Sequence, residues 1–126
     1  MKLVKFIGAL LLTFGLLNAD PIDLSGKKDG YEITLKSEKS LVVGNNTFFI
    51  TLAKDTVAVT NAKVKIKFFM PEMPGMPYME QTQKAKFVDG KFKTSINFPM
   101  GGTWQYHLKF KTQDGKVHTI RSSINL

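Results

Sequence analysis

The sequence contains no cysteine, and this absence excludes several classes of protein at once. Thiol nucleophiles, disulfide frameworks, thiolate zinc sites, cysteine-bound iron–sulfur clusters and blue-copper centres all need at least one sulfur anion. Histidine is also scarce, with two residues, and tryptophan occurs once. A chain of 126 residues suffices for one small domain, so a two-domain enzyme is excluded and the fold must be held together by core packing.

The chain also lacks an apolar run long enough to span a bilayer. The longest run, residues 6–17, is shorter than the roughly 20 residues that a spanning helix needs. It follows a basic start, and Leu17-Asn18-Ala19 offers a cleavage site before Asp20. We therefore predict a signal peptide over residues 1–19 that is cleaved after Ala19, export to the periplasm, and no stable membrane anchor.

Acidic side chains are fewer than basic ones, 10 against 18, which gives a formal net charge of +8. Two of the lysines leave with the predicted signal peptide. A basic surplus can indicate an anionic partner such as nucleic acid or a phospholipid surface. The lysines alternate with apolar residues, as in Lys63-Val64-Lys65-Ile66-Lys67, so we interpret them as the solvent-facing sides of half-buried strands. For an exported protein with this pattern we predict no nucleic-acid partner.

No helical hydrophobic period persists over a dozen residues, whereas period-two alternation recurs along the chain. The predicted strands are Tyr31 to Ser37, Thr47 to Ala53, Lys63 to Met70, Gln83 to Val88, Phe92 to Phe98, Thr103 to Thr112 and Val117 to Ile124. Seven short strands with turn residues between them predict an all-β fold, an immunoglobulin-like antiparallel β-sandwich over residues 31–126. Residues 20–30 are polar and are predicted to form a loose N-terminal leader.

The last two predicted strands contain both histidines. Alternation within the first of them places His107 on the side that faces water. Pairing Phe110 with Ile120 across the hairpin needs a three-residue loop, Asp114 to Lys116, whose glycine adopts the left-handed conformation. His118 then lies on the inner side, next to this turn.

Methionine is not abundant, with six residues, yet four of them fall within ten positions that also hold three of the five prolines. The segment reads Met70-Pro71-Glu72-Met73-Pro74-Gly75-Met76-Pro77-Tyr78-Met79. Three prolines prevent a regular strand or helix, which predicts a surface loop. Exposed methionine in such a loop indicates either a contact site for a partner protein or a metal site.

Chemistry favours the metal site. A thioether is a soft donor that suits Cu(I), has no proton to lose, and forms no disulfide in an oxidising compartment. Pro74-Gly75 suits the centre of a type II turn, which brings Met73 and Met76 within about 7 Å at Cα. We predict these two residues as the first ligand pair, and Met70 and Met79 remain candidates to complete the site.

The loop between the fifth and sixth predicted strands supplies a further candidate ligand, Met100. If successive strands run in opposite directions, this loop emerges at the same end as the methionine segment. Trp104 follows it and could shield Cu(I) through its indole face, although a core tryptophan is the simpler interpretation. His107 is a poorly aimed accessory candidate. His118 lies at the opposite end, which favours a structural or surface role.

Two segments make the sequence recognisable, residues 69–77 and the stretch Asn97-Phe98-Pro99-Met100-Gly101-Gly102-Thr103-Trp104. Together they resemble the YtkA-like and FixH-like family of exported or membrane-tethered sandwich domains, and within it CrdA-type copper resistance determinants. The resemblance implies a β-sandwich with a periplasmic role in copper homeostasis, beside a metal efflux system of the resistance-nodulation type. The metal-binding residues that it implies are Met70, Met73, Met76 and Met100, with Trp104 as the aromatic residue. Relatives often have histidine where the methionine loop closes, and this chain has Met76 and Met79 there, which favours Cu(I) over Cu(II).

Three functions therefore compete at the level of sequence. The first is a periplasmic copper binder that sequesters Cu(I) or passes it to an efflux complex. The second is an adaptor whose methionine segment docks a partner protein without metal. An enzyme is not expected, because neither histidine has a recognisable serine or acid partner, and Glu72 and Glu80 have no paired geometry.

Overall fold

The structure is a computed structural model and describes residues 21–126. This part of the chain folds into nine β-strands without a helix. In chain order the strands are β1 (Asp23–Lys28), β2 (Tyr31–Ser37), β3 (Gly44–Lys54), β4 (Val57–Ala58), β5 (Lys63–Met70), β6 (Met79–Val88), β7 (Lys91–Phe98), β8 (Thr103–Lys111) and β9 (Val117–Asn125). The predicted all-β class is confirmed. The predicted signal peptide, residues 1–19, lies outside the described residues.

The strands form two antiparallel sheets that share β6. One sheet has the order β1-β2-β3-β7 and ends on β6, and the other has the order β6-β5-β8-β9. β6 pairs with β5 as far as Ala85 and with β7 from Lys86 onward, so it passes from one sheet to the other. Without β1 and the short β4, which pairs with β3, this is the strand order of an immunoglobulin-like sandwich.

The core lies between the two sheets and is rich in aromatic rings. Phe48 in β3 contacts Phe68 in β5, and Tyr31 in β2 contacts Phe110 in β8, each with ring centroids 5.3 Å apart. Trp104 is fully buried. Burying one large apolar side chain contributes roughly 1.5–3 kcal/mol, so these rings supply much of the free energy that holds a cysteine-free sandwich together.

All seven predicted strands are present, as β2, β3 and β5 to β9, but two of them begin several residues earlier than predicted. β3 starts at Gly44 rather than at Thr47, and β6 starts at Met79 rather than at Gln83. β3 includes asparagine, a residue type that favours turns, within the strand. The buried Asn46 side chain accepts a hydrogen bond from a backbone N–H four residues earlier, at 2.9 Å.

The predicted loose leader, residues 20–30, contains strand β1, so the part of it that the structure describes is not loose. This strand pairs with β2 along its whole length, and the Ile22 N–H extends the contact by donating to the Ser37 hydroxyl at 2.8 Å. Leu24 packs against the core. The alternation pattern missed the strand because Asp-Leu-Ser-Gly-Lys-Lys has a single large apolar side chain, which is enough for a strand at the edge of a sheet.

The β8–β9 hairpin has the predicted parity but not the predicted register. Phe110 pairs with His118 rather than with Ile120. The Thr112 N–H donates to the Lys116 carbonyl at 3.1 Å, so the loop closes one residue earlier than predicted, and its glycine has the expected left-handed φ of 83°. The shift places the His118 ring inside the domain, stacked on Phe110 at 4.9 Å.

Candidate metal centre

The methionine-rich segment is a hairpin that extends strands β5 and β6, and we call residues 70–79 the Met-Pro hairpin. Met70 pairs with Met79 at the end of the β5–β6 ladder. Farther out, Met73 and Met76 form an isolated antiparallel bridge in the same register. The sequence predicted a loop here because prolines cannot donate to a ladder. In the structure the two arms of the hairpin keep the register of the β5–β6 ladder, so the four methionines form two directly opposed pairs.

The outer methionine pair is fixed by a tight turn. The Met73 N–H donates to the Met76 carbonyl at 2.9 Å, and the Met76 N–H donates to the Met73 carbonyl at 2.8 Å. Gly75 has φ 79°, the positive value that a type II turn requires at its third position, so the predicted Pro74-Gly75 turn is confirmed. Directly opposed residues have Cβ atoms about 4.5–5.5 Å apart, close enough for two flexible methionine side chains to reach one ion.

The four thioethers of the Met-Pro hairpin differ in their exposure to solvent. Met73 at the tip is 45% exposed, whereas Met70 at the base is 4% exposed and belongs to the core. Met76 and Met79 are partly buried and pack against the core from the side. The hairpin therefore presents a series of sulfur donors that runs from solvent toward the protein interior.

The loop between β7 and β8, residues 99–102, lies at the same end of the sandwich, as predicted. A Cβ atom added to Gly102 would lie 3.2 Å from Cε of Met70, so the two segments are in contact. Met100 is partly buried against the core. The indole N–H of Trp104 donates to the Met100 carbonyl at 3.1 Å and holds the loop in place. The structure thus brings Met100 to the same end as the Met-Pro hairpin.

Trp104 has the core position that the simpler interpretation assigned to it. It lies on the inner face of β8, and its ring contacts Phe98 at 5.4 Å. Phe69 pairs with Gln105, so the next position along β5, Met70, lies level with Trp104. Trp104 accordingly packs in the core beneath the methionines, next to Met70, the most buried of them.

His107 lies on the outer face of β8, away from the inner face to which Met70 belongs. The edge of its ring meets Phe69 at 5.0 Å. Desolvation, together with the positive charges of Arg121, Lys67 and Lys109, lowers the pKa of His107 below 6.5. The structure does not bring this accessory candidate to the buried thioether of Met70.

One comparison with known proteins identifies the family. Residues 25–109, about two thirds of the chain, match the family described as YtkA-like. The chain belongs to the YtkA-like family. The match contains the whole Met-Pro hairpin and the Met100 loop. A search of curated proteins and a search of solved structures found no match to the chain.

Side-chain contacts that were not predicted from the sequence hold the base of the hairpin in this YtkA-like domain. The Tyr78 hydroxyl donates to Oε2 of Glu80 at 3.0 Å, and the Thr82 hydroxyl donates to Oε1 at 3.1 Å. These hydrogen bonds lower the pKa of Glu80, which stays ionised, while partial burial and the Glu80 contact raise the pKa of Tyr78. The Tyr78 ring also stacks on Phe69 at 6.2 Å. The sequence feature that could have predicted these contacts is the Tyr-x-Glu-x-Thr spacing, because alternate residues of an extended chain share one face.

His118 lies at the opposite end of the YtkA-like domain from the methionines, as predicted. It is buried, with Nδ1 2.7 Å from Oδ2 of Asp29 and Nε2 3.4 Å from the Thr112 hydroxyl. These contacts link the β1–β2 turn to the β8–β9 turn. Within residues 21–126 no group of three or more histidine, cysteine, aspartate or glutamate residues could hold a metal ion, and no helix is long and apolar enough to cross a membrane.

Proposed function

We propose that this YtkA-like domain is an exported Cu(I)-binding protein that holds the ion between thioethers of the Met-Pro hairpin. The supporting observation is the arrangement of four methionines as two opposed pairs in a single hairpin register, Met70 with Met79 and Met73 with Met76. A loop that merely exposed methionine would need no such pairing. Thioethers are donors that suit Cu(I), and they bind it without releasing a proton.

The graded exposure of the hairpin supports a role in handling copper as cargo. An ion can reach Met73 at the exposed tip directly from solvent or from another protein. The remaining thioethers, Met70, Met76 and Met79, and Met100 on the adjoining loop, lie farther in and supply the donors that complete a site. Because the tip stays accessible, bound Cu(I) can be passed on to a second methionine-rich site by ligand exchange.

The cellular part of the proposal follows from the sequence. The predicted signal peptide over residues 1–19 directs the chain to the periplasm, and the resemblance to CrdA-type determinants indicates copper resistance. We propose that the protein sequesters Cu(I) there or delivers it to the periplasmic components of a resistance-nodulation-type metal efflux system. The proposal assigns no catalytic activity to the chain.

A second candidate function is an adaptor that docks a partner through the same hairpin without metal. The observation that favours it is that the hairpin exposes two large side chains, Met73 at its tip at 45% and Tyr78 at its base at 47%. Exposed apolar side chains on one segment are typical of protein contact sites. The two functions differ in one measurable property, which is whether the isolated protein binds Cu(I).

Equilibrium dialysis of the mature protein against Cu(I) under anaerobic, reducing conditions tests the proposal. We expect about one equivalent of Cu(I) to be retained. Zn(II), which prefers nitrogen, oxygen and thiolate ligands, is the control ion and should not be retained. Absence of retained Cu(I) would refute the copper function and leave the adaptor.

A further inference from the structure

Five lysines crowd the outer face of the second sheet near the start of β5. Lys65 pairs with Lys84 on one side and with Lys109 on the other, and Lys63 pairs with Lys111. All five side chains are exposed. Like charges directly opposite each other in a sheet are destabilising, so this arrangement lowers the stability of the domain.

Within the part of the chain that the structure describes, no carboxylate forms an ion pair with these five lysines. The ion pairs found there are Lys36 with Asp23 and His118 with Asp29, both away from the lysine pairs. Glu80 shares the outer face and attracts Lys65 electrostatically, but it is paired with Phe69 toward the Met-Pro hairpin. One carboxylate against five lysines leaves a region of net positive charge that can interact with an anion.

An apolar opening of about 470 Å³ lies among the same lysines. It arises where β6 leaves β5 after Ala85 and joins β7, so that the two sheets separate locally. Val64 and Ala85 line it, and the exposed side chains of Phe87 and Val117 form its walls. The volume is within the range of small-molecule sites, which are mostly apolar with a few polar groups that fix the ligand.

We propose that this opening binds an anionic amphiphile, a ligand with an apolar chain and an acidic head group. The chain would remove Phe87 and Val117 from water, and the head group would accept charge-assisted hydrogen bonds from lysines such as Lys65 and Lys109. Binding also relieves the repulsion among the lysines. A polyanion without an apolar part would leave the opening empty, and a neutral amphiphile would leave the lysines uncompensated.

The site is independent of the proposed copper function. β5 begins with Lys63 at the opening and ends with Met70 at the Met-Pro hairpin. At about 3.3 Å per residue the two ends are roughly 23 Å apart. Loss of one site should therefore leave the other unaffected, and the failure of either proposal says nothing about the other.

Isothermal titration calorimetry of the mature protein tests the proposal, with decanoate as the probe below its micelle-forming concentration. Acetate supplies the charge without the chain, and decyl glucoside supplies the chain without the charge. The double variant Lys65→Gln/Lys109→Gln removes two charges at the opening. Its matched control, Lys91→Gln/Lys93→Gln, removes two charges from β7, where the lysines lie over Phe49 on the outer face of the other sheet.

We expect saturable binding of decanoate but not of acetate or decyl glucoside. The affinity for decanoate should fall about tenfold or more in the first variant and far less in the control. The first variant should also melt at a temperature no lower than that of the parent, because repulsion has been removed. Vesicles containing anionic phospholipid distinguish the source of the ligand. If they bind as well as decanoate, a membrane lipid is the source, and if only decanoate binds, a soluble amphiphile is.

Several results would overturn the proposal. One is the absence of saturable decanoate binding, including the case in which only vesicles bind, which would indicate general attraction to a charged surface. A second is equal affinity for decyl glucoside, which would make the lysines irrelevant. The third is equal weakening in both double variants, which would show that net charge rather than this opening determines binding.

Discussion

A single glycine allows the two loops of the candidate metal centre to meet. Gly102 has φ 122°, a conformation that other residues rarely adopt, and it also leaves room for the methyl group of Met70. A Cβ atom there would lie 3.2 Å from Cε of Met70, closer than an ordinary contact. The identity of this residue thus affects both the backbone of the loop and the position of the most buried thioether.

We predict that Gly102→Ala destabilises the domain more than Gly90→Ala does. Both glycines have positive φ, so either substitution introduces backbone strain of about 1–3 kcal/mol, and the φ of 122° at Gly102 lies farther from the left-handed region than the 82° at Gly90. Gly90 has nothing within 4 Å of an added Cβ, whereas Gly102 faces Met70. The free energy of unfolding, measured in urea, should therefore fall by about 1 kcal/mol more in Gly102→Ala. An equal loss of unfolding free energy in the two variants would show that the contact with Met70 does not affect stability.

The Asp29–His118 contact makes stability depend on pH at the opposite end of the domain. The hydrogen bond from His118 is the main cause that lowers the pKa of Asp29 below 3.8. A carboxylate whose pKa is lower in the folded state stabilises the fold above its unfolded pKa, and this contribution is lost as the pH falls through the folded value. The stabilisation is therefore complete near neutral pH and absent in strong acid.

We predict that Asp29→Asn lowers the free energy of unfolding at about pH 6 and has a much smaller effect at about pH 2. Asparagine tolerates the positive φ of 52° at this turn position, so the backbone should not change. Urea titrations at the two pH values provide the measurement, and Glu32→Gln, which removes one exposed carboxylate from β2, is the control. A destabilisation of equal size at both pH values would mean that ionisation of Asp29 is not involved.

Among single residues, contacts between neighbours in the sequence could be predicted, whereas contacts between distant segments could not. Pro74-Gly75 specifies its own turn, so the opposition of Met73 and Met76 followed from the sequence. The burial of His118 did not, because its partner Asp29 lies 89 positions away along the chain. Matching apolar residues favoured Ile120 opposite Phe110, whereas the structure gives that place to a histidine whose ring nitrogens are both engaged inside the domain.

At the scale of elements, the Met-Pro hairpin is a strand pair that survives its prolines. Pro71 and Pro77 remove two backbone donors and interrupt the ladder. The register is nevertheless held at both ends, by the β5–β6 ladder at the base and by the Met73–Met76 bridge at the tip. The hairpin therefore has a defined shape, on which the proposed copper site depends.

We predict that Gly75→Ala weakens Cu(I) binding without much loss of overall stability. Alanine strains a turn with φ 79°, which loosens the opposition of Met73 and Met76. Gly90→Ala, with nearly the same φ of 82° in the β6–β7 turn, is the matched control and should bind Cu(I) like the parent. Competition titration against a Cu(I) chelator measures the difference. Identical affinities in the two variants would mean that the turn does not organise the site.

Strands with clear alternation could be predicted, and strands defined by their neighbours could not. β7 and β8 bury every second residue, and their pattern was visible in the sequence. β1 and the first residues of β6 have no such pattern, because β1 is an edge strand and β6 begins two residues after Pro77. Their strand conformation comes from backbone pairing with β2 and β5, which composition does not record.

At the scale of the whole molecule, the sandwich keeps the candidate copper site apart from two features at its other end. The Met-Pro hairpin and the Met100 loop lie at one end, and the Asp29–His118 contact lies at the other. The lysine-rimmed opening lies where β6 changes sheet, at the end of β5 opposite Met70. A core of aromatic rings between the two sheets separates the Met-Pro hairpin from both features at the other end, so substitutions in the hairpin should act independently of them.

The most direct test of the account is a Cu(I) competition titration of the parent and of the double variant Met73→Leu/Met76→Leu. Leucine keeps the size and apolarity of methionine but has no donor atom, so the fold should be unchanged while binding is lost. Thioethers have no competing proton, so the affinity of the parent, corrected for protonation of the chelator, should agree at about pH 7 and pH 5. The proposed thioether site is contradicted if the double variant titrates like the parent, or if the corrected affinity falls about tenfold at pH 5 and replacing His107 or His118 abolishes that fall.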